Sequence, residues 1–364
     1  MTDSDAKPPI QGFGVNQTLG IIGGGQLGRM IAVEAARYGC KVIILDPQPE
    51  CPAGQVSNRQ IAAAYDNKTA LTELADLCDV VTYEFENVPF EAAELLEELT
   101  ELFPSSRALA VSQDRLVEKS TLEQANIAVA PYFQVDSGEE LRGALSKVGE
   151  GVLKTRRFGY DGNGQKVVGA DDAKHAEAIV EELGGGDLIL EKKIAFISEF
   201  SVIVARSRHG EVVCYEPATN IHRDGILRLS SVPADLSDST ISKAVQVAER
   251  WVGELDYVGV MGIEFFETSD GLLVNEFAPR VHNSGHWTRE ACHTGQFEQH
   301  FRAVMGLHLA ATTRHSNCEM VNLIGHDVDD LNKWLSDPDG FVTIYGKADV
   351  KPGRKMGHVT RLLR

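Results

Sequence analysis

An apolar run at 19–22 breaks on Gly23-Gly24-Gly25 and passes at once into an alanine-rich helical stretch over 30–38. A strand that turns on glycine into a helix can pair next only with a parallel neighbour, because the helix carries the chain back before the following strand begins. Apolar runs at 41–45 and 79–85, with helical patterns over 69–77 and 90–99, continue the alternation. Residues 16–112 are therefore expected to form a parallel α/β domain with helices on both faces of the sheet. Residues 1–15 show no such pattern and read as a disordered lead-in.

From residue 113 the pattern changes. Helical stretches at 115–125 and 139–148 flank an extended one at 132–135, and strand-like runs then dominate at 151–154, 166–168, 188–191, 199–205, 212–216 and 227–232. A helix is predicted over 237–254, with Ser237 and Asp238 as cap candidates. Apolar runs at 258–266 and 272–277 are divided by the turn Ser269-Asp270-Gly271, and strands at 320–324 and 341–345 flank a short helix in the tail. The expected organisation is a central domain over 113–309 and a small β-rich C-terminal domain over 310–364, α/β followed by α+β.

The apolar runs are strand-length, too short to span a bilayer. A net charge of −18 disfavours nucleic acid and anionic membranes as partners, but it permits an anionic small molecule held by local cations. The six cysteines have no metal-ligand spacing, and the N-terminus lacks a signal-peptide layout. A reduced, cytoplasmic chain is the expectation.

Four segments carry chemistry. Gly23-Gly24-Gly25-Gln26-Leu27-Gly28 fits G-x-G-x-x-G, and Asp46 ends the next strand. Alone, that pattern allows an NAD-dependent oxidoreductase, a plain tight turn, or a turn facing another ligand. Lys154 closes a strand and is followed by Arg156, Arg157 and the glycine-rich Gly159, Tyr160, Asp161, Gly162, Asn163, Gly164 and Gln165. Such a loop can fold over a triphosphate, with amides and cations spreading its charge. Glu264 and Glu276 lie on consecutive apolar runs, where an unpaired carboxylate is unfavourable and Mg²⁺ is a natural partner, with Asn275 able to add an oxygen. Arg280, His282, Asn283, Ser284 and His286 crowd one polar loop after the second acid.

Lysine strand, glycine loop, hinge acid and two metal acids, in that order, resemble the ATP-grasp superfamily. Gly25-Gln26-Leu27-Gly28-Arg29-Met30, Gly159 to Gln165, His222-Arg223-Asp224-Gly225-Ile226-Leu227, Ala278 to Trp287 and Pro352-Gly353-Arg354-Lys355-Met356-Gly357-His358 resemble the N5-carboxyaminoimidazole ribonucleotide synthase family within it. The resemblance implies a pre-ATP-grasp domain, a two-lobed ATP-grasp domain and a small C-terminal domain. It implies ATP and Mg²⁺ as cofactors, and carboxylation of 5-aminoimidazole ribonucleotide with bicarbonate in purine biosynthesis by a homodimer. A formate-dependent glycinamide ribonucleotide transformylase is the alternative acceptor chemistry within the same superfamily.

By that resemblance, Arg115 and Lys154 contact the nucleotide and the glycine loop closes over it. The backbone of Glu191, Lys192, Lys193 and Ile194 reads adenine, Glu199 holds the ribose, and His222 lies nearby. Glu264 and Glu276, with Asn275, take Mg²⁺. Arg280 and His282 hold and orient bicarbonate or carboxyphosphate. Gln26, Leu27 and Glu84 line the imidazole pocket, Asn283, Ser284 and His286 close it, and Lys347 and Arg354 clamp the 5′-phosphate.

Overall fold

The computed structural model describes residue 14, residues 16–159 and residues 164–363. The lead-in expected over 1–15, apart from Gly14, and the loop residues Tyr160, Asp161, Gly162 and Asn163 lie outside the described residues.

Five parallel strands form the first sheet: β1 (Thr18–Ile22), β2 (Lys41–Leu45), β3 (Arg59–Ile61), β4 (Val80–Tyr83) and β5 (Glu101–Leu102), in the order β3-β2-β1-β4-β5. Alternate side chains enter two separate cores. Leu19 and Ile21 pack with Ile31 and Ala35 of the helix Gln26–Arg37, whereas Ile22 packs with Leu71 and Leu74 of the helix Lys68–Leu77. Both faces are thus covered, as a parallel sheet requires. The strand order reverses at β1 and β4, so the glycine turn after β1 and Glu84 after β4 share the crevice where such sheets place their ligands. The short strands β3 and β5 carried no apolar run long enough to be expected.

A second, antiparallel sheet comprises β6 (Tyr132–Val135), β7 (Gly151–Thr155), β8 (Gln165–Val168) and β9 (Leu188–Lys192), ordered β6-β9-β7-β8. The helices Gly138–Val148 and Ala176–Glu182 supply Leu141, Leu145, Ile179 and Val180 to its core.

The third sheet has nine strands: β10 (Ser198–Arg206), β11 (Val212–Cys214), β12 (Ala218–Arg223), β13 (Ile226–Val232), β14 (Gly259–Thr268), β15 (Gly271–Ala278), β16 (Asn317–Ile324), β17 (Gly340–Ile344) and β18 (Lys355–Leu363). The order is β15-β14-β10-β12-β13-β16-β18-β17, with β11 paired to β10. The β-rich C-terminal segment thus continues the central sheet through β13 and β16. The helix Asp238–Glu254 covers one face, capped by Ser237, whose side chain accepts from Thr240 N–H as expected.

The other face of this sheet meets the first sheet through the helix Gln296–Val304, which sequence patterning did not reveal. Phe297, Phe301 and Val304 join one core with Ile31, Ile203 and Val260. Its uncharged polar residues Gln296, Gln299 and His300 are buried too. His300 lies 2.9 Å from Thr82 Oγ and accepts at Nδ1 from Val260 N–H at 3.1 Å, tying β4 to β14. Burial holds the His300 pKa at about 3. The unfolded chain takes up this proton below about 6.5, so the residue's contribution to stability is lost progressively as pH falls through that window. Replacing His300 with Gln should flatten the acid limb of a stability–pH curve by up to about 1.4 kcal/mol per pH unit. An unchanged slope would refute the assignment.

Candidate active site

The helix Arg115–Gln124 joins the second and third sheets through residues spaced i, i+3 and i+4 on one face. Arg115 pairs with Glu276 at 2.8 Å and donates to Gly159 C=O at 3.1 Å. Glu118 accepts from Phe277 N–H at 2.9 Å. Lys119, almost fully buried, donates to Asn275 C=O and lies 3.3 Å from Glu191. Lys154, on β7, reaches the other oxygen of Glu191 at 3.1 Å. Lys154, Glu191, Glu276 and Arg115 are therefore one cluster, joined by Glu118 and Lys119, which went unnoticed in the sequence. Their helical spacing from Arg115 was the available signal.

Asp114 caps this helix, accepting from Leu116 N–H at 3.0 Å, and also grips Arg156 at 3.0 and 2.6 Å and Arg157 at 3.3 Å. One buried acid thus anchors the segment that leads into the glycine loop. Burial opposes its charge, but Arg156 outweighs burial and holds its pKa below the usual range. Asp114→Ala removes cap and ion pair together and should destabilise the chain by roughly 2–4 kcal/mol in a denaturant melt. A change below about 0.5 kcal/mol, the range of ordinary surface substitutions, would contradict this role.

Charge in the cluster is unevenly distributed. Burial resists ionisation of Glu191 strongly, and of Glu276 only in part because its side chain is 40% exposed. Lys119 and Lys154 overcome it at Glu191, and Arg115 and Lys154 at Glu276, so both are held at about 2. Burial and the charge of Glu276 instead push Glu264 up to about 7.

Glu264 and Glu276 face each other in register across β14 and β15, and Asn275 Nδ2 lies 3.4 Å from Glu264. Glu199 on β10 and His222 on β12 complete the corner, bonded at 3.0 Å. Ligand atoms of Glu199, His222 and Glu264 lie within 4.8 Å of one another. Oxygen donors dominate, and among the described residues no cationic side chain lies as close to the carboxyl of Glu264 as Arg115 does to Glu276. A hard divalent cation fits that donor set and would relieve the repulsion between the two acids.

The hinge side chains Lys192 and Lys193 are exposed and Ile194 is half-buried, while the Lys192 and Lys193 amides bond to Pro131 and Glu150 carbonyls at 2.8 and 3.1 Å. Gln165 begins the return strand β8, and Gly164 just before it accepts at its C=O from Thr155 N–H at 2.8 Å.

Arg280 forms a two-point pair with Glu86, one contact at 3.0 Å. The sequence offered no sign of this partner. His282 has Nε2 3.6 Å from Glu264 and Nδ1 2.8 Å from Ser284 Oγ. Gln296 holds its backbone from both sides, accepting from His282 N–H at 2.9 Å and donating to its C=O at 2.7 Å. Ser284 and His286 are buried, and the His286 ring lies 4.6 Å from that of His358 on β18. Both polar atoms of the Asn283 carboxamide are shielded from solvent yet have no hydrogen-bond partner among the described residues. An orphaned amide of this kind is what a polar ligand would satisfy.

The glycine turn after β1 is filled from within the protein. Glu84 accepts from Gly25 N–H at 2.5 Å and Gly28 N–H at 2.7 Å, and Asp46 accepts from Gly24 N–H at 2.7 Å and from Tyr65 Oη–H at 2.6 Å. The amides that would bind a dinucleotide phosphate already face carboxylates, and the acid that would hold a ribose is engaged. Gln26 opens the helix beside this turn and Leu27 is buried behind it. From the next helical position but one, Arg29 bonds Gln55 at 2.9 Å, and Gln55 bonds Gly346 C=O at 3.0 Å. This link draws the loop bearing Lys347 toward the turn. Lys347 donates to Lys355 C=O at 2.7 Å and Arg354 to Asp349 C=O at 3.1 Å.

A lysine strand, a glycine loop and facing acids on neighbouring antiparallel strands define an ATP-grasp protein. The ATP-grasp domain profile matches residues 120–297, the ribonucleotide synthetase preATP-grasp domain 16–113, and the phosphoribosylaminoimidazole carboxylase C-terminal domain 318–364. The N5-carboxyaminoimidazole ribonucleotide synthase of Brucella melitensis is 52% identical, over 95% of this chain and 96% of that one. A crystal structure of an ADP complex of N5-carboxyaminoimidazole ribonucleotide synthetase has a TM-score of 0.93 at 39% identity, covering 97% of this chain and 94% of that one. The Aspergillus clavatus N5-carboxyaminoimidazole synthase in complex with ADP and 5-aminoimidazole ribonucleotide has a TM-score of 0.89 at 32% identity, covering 96% and 94%. The chain belongs to the N5-carboxyaminoimidazole ribonucleotide synthase family. These relatives favour the carboxylating chemistry over the formate-dependent and dinucleotide alternatives. No helix among the described residues is long and apolar enough to cross a membrane.

Proposed function

We propose that this chain uses ATP and bicarbonate to carboxylate 5-aminoimidazole ribonucleotide on its amino nitrogen, releasing ADP and phosphate. The observation that carries this reading is the loop over 280–287. Its His282 faces the acid Glu264, and its His286 packs on His358 of the tail. One short segment thereby joins a phosphoryl-transfer corner to an acceptor pocket.

In this reading Arg115, Lys154 and the glycine loop hold the ATP phosphates, and Glu191, Lys192, Lys193 and Ile194 hold the purine. Glu199 takes the ribose, with His222 orienting it. Glu264, Glu276 and Asn275 would hold Mg²⁺, which supplies charge neutralisation at the phosphoryl oxygens when bound. A bicarbonate oxygen attacks the γ-phosphorus as the bond to ADP breaks, giving carboxyphosphate. Arg280 holds that anion and His282 orients it. The amino nitrogen then gains the carboxyl group, phosphate leaves, and the nitrogen gives up a proton. Gln26, Leu27, Glu84, Asn283, Ser284 and His286 enclose the imidazole, and Lys347 and Arg354 take its phosphate, the lysine as a point charge and the arginine as a fork.

The division at 16–112, 113–309 and 310–364, a homodimeric state and a cytoplasmic location complete the proposal. Sedimentation at micromolar concentration tests the dimer directly. For the reaction, ADP release should depend on bicarbonate and rise when the aminoimidazole nucleotide is added. Absence of both effects in folded protein would overturn the reading, and formate replacing bicarbonate would redirect it to formyl transfer.

A further inference from the structure

A chain of buried polar side chains runs across three strands of the central sheet and ends on His282. Ser230 Oγ–H on β13 donates to Asn220 Oδ1 on β12 at 2.8 Å. Asn220 Nδ2–H donates to Ser201 Oγ on β10 at 3.0 Å, and Ser201 Oγ–H donates to Ser284 Oγ at 2.7 Å. Ser284 Oγ lies 2.8 Å from His282 Nδ1. Ser201, Asn220, Ser230 and Ser284 are each at most 5% exposed. Apolar residues would fill such positions at less risk to stability, because a buried network is tolerated only when its members are paired.

We propose that Ser201, Asn220 and Ser230 are positioning residues that set the tautomer of His282 through Ser284. A serine hydroxyl carries one proton. Ser284 accepts the proton of Ser201, so its own is directed to Nδ1 of His282. Nδ1 is then an acceptor, and the ring proton sits on Nε2, the nitrogen 3.6 Å from Glu264. The ring has little freedom to turn away. A Cβ on Gly262 would come within 2.5 Å of the His282 Cβ, so β14 lies directly beneath the residue. Gln296 clamps its backbone on the other side.

The consequence rests on the proposed carboxylation. With the proton on Nε2, His282 presents a donor to bicarbonate or carboxyphosphate; the other tautomer would present a lone pair to the same anion. The chain therefore turns the orientation of the Asn220 carboxamide, held by Ser230, into the sign of the dipole that meets the substrate.

The test combines NMR of ¹⁵N-histidine-labelled protein at pH 7.5 with steady-state kinetics. His282 is assigned by the loss of its signals in His282→Gln. In the wild type, long-range ¹⁵N–¹H couplings should report the Nε2–H form. Ser201→Ala should give a mixture of both forms and lower kcat by roughly tenfold, with the KM for ATP unchanged, a loss of the size expected for one hydrogen bond. Ser201→Thr, which restores the hydroxyl, should recover both. If Ser201→Ala does not fold, Ser230→Ala, at the far end of the chain, should shift the tautomer in the same direction. An Nδ1–H form in the wild type, or an unaltered tautomer in the folded variants, would overturn the proposal. A wild type that turns over no bicarbonate would instead sink the proposed reaction, while the tautomer reading would stand.

Discussion

Glu276→Gln is expected to reduce bicarbonate-dependent ADP release by roughly 10²–10³-fold, the usual scale for losing one electrostatic partner of a developing charge. The substitution keeps the volume and shape of the side chain, so no cavity forms. It removes the anion that Arg115 engages at 2.8 Å and that faces Glu264 across β14 and β15. The loss cannot be traced to protonation of Glu264. The charge of Glu276 is one of the causes that hold Glu264 at about 7, and removing it makes Glu264 easier to ionise. Circular dichroism should remain that of the wild type, and the melting temperature should move by no more than a few degrees, since the Glu276 side chain is 40% exposed. A variant that melts like the wild type and still turns over ATP at its rate would remove Glu276 from the metal site.

Lys347→Ala is expected to separate the two halves of the reaction. Its amine lies on the tail loop that Arg29 and Gln55 draw toward the N-terminal turn. Losing a charge-assisted contact to a phosphate should raise the KM for the aminoimidazole nucleotide by about 10–100-fold. Bicarbonate-dependent ATP hydrolysis without the acceptor should persist near the wild-type rate, because no residue of the phosphoryl corner has changed. Loss of that basal hydrolysis, with a normal KM for the acceptor, would place Lys347 in the wrong half of the site.

The two variants also mark where sequence reasoning succeeded and where it stopped. Glu276 was legible because a carboxylate inside an apolar strand is an anomaly that the local pattern exposes. The same holds for Ser237, which caps its helix as expected, and for the strand, glycine turn and helix that open the chain. Strands as short as β3 and β5, and the polar strands β12 and β18, have no such contrast and were missed. Lys347 was legible only through resemblance, since a lysine in a loop carries no local signal of what it faces.

Local periodicity by itself determined the kind of most long elements, the parallel character of the first sheet and the two acids that face each other across β14 and β15. These properties depend on neighbours within one strand or one helical turn, and periods of two and 3.6 residues record them. Tertiary structure alone decided which groups meet. It brought Glu86 to Arg280, 194 residues away in the chain, set Lys119 against Glu191, and buried the polar helix Gln296–Val304 between two sheets. It also filled the amides of the glycine turn with Glu84 and Asp46, which is why a dinucleotide motif here belongs to a different site. Such pairings arise from the stacking of sheets and from the need to satisfy each buried polar atom. Neither condition can be expressed by residues that are adjacent in the chain.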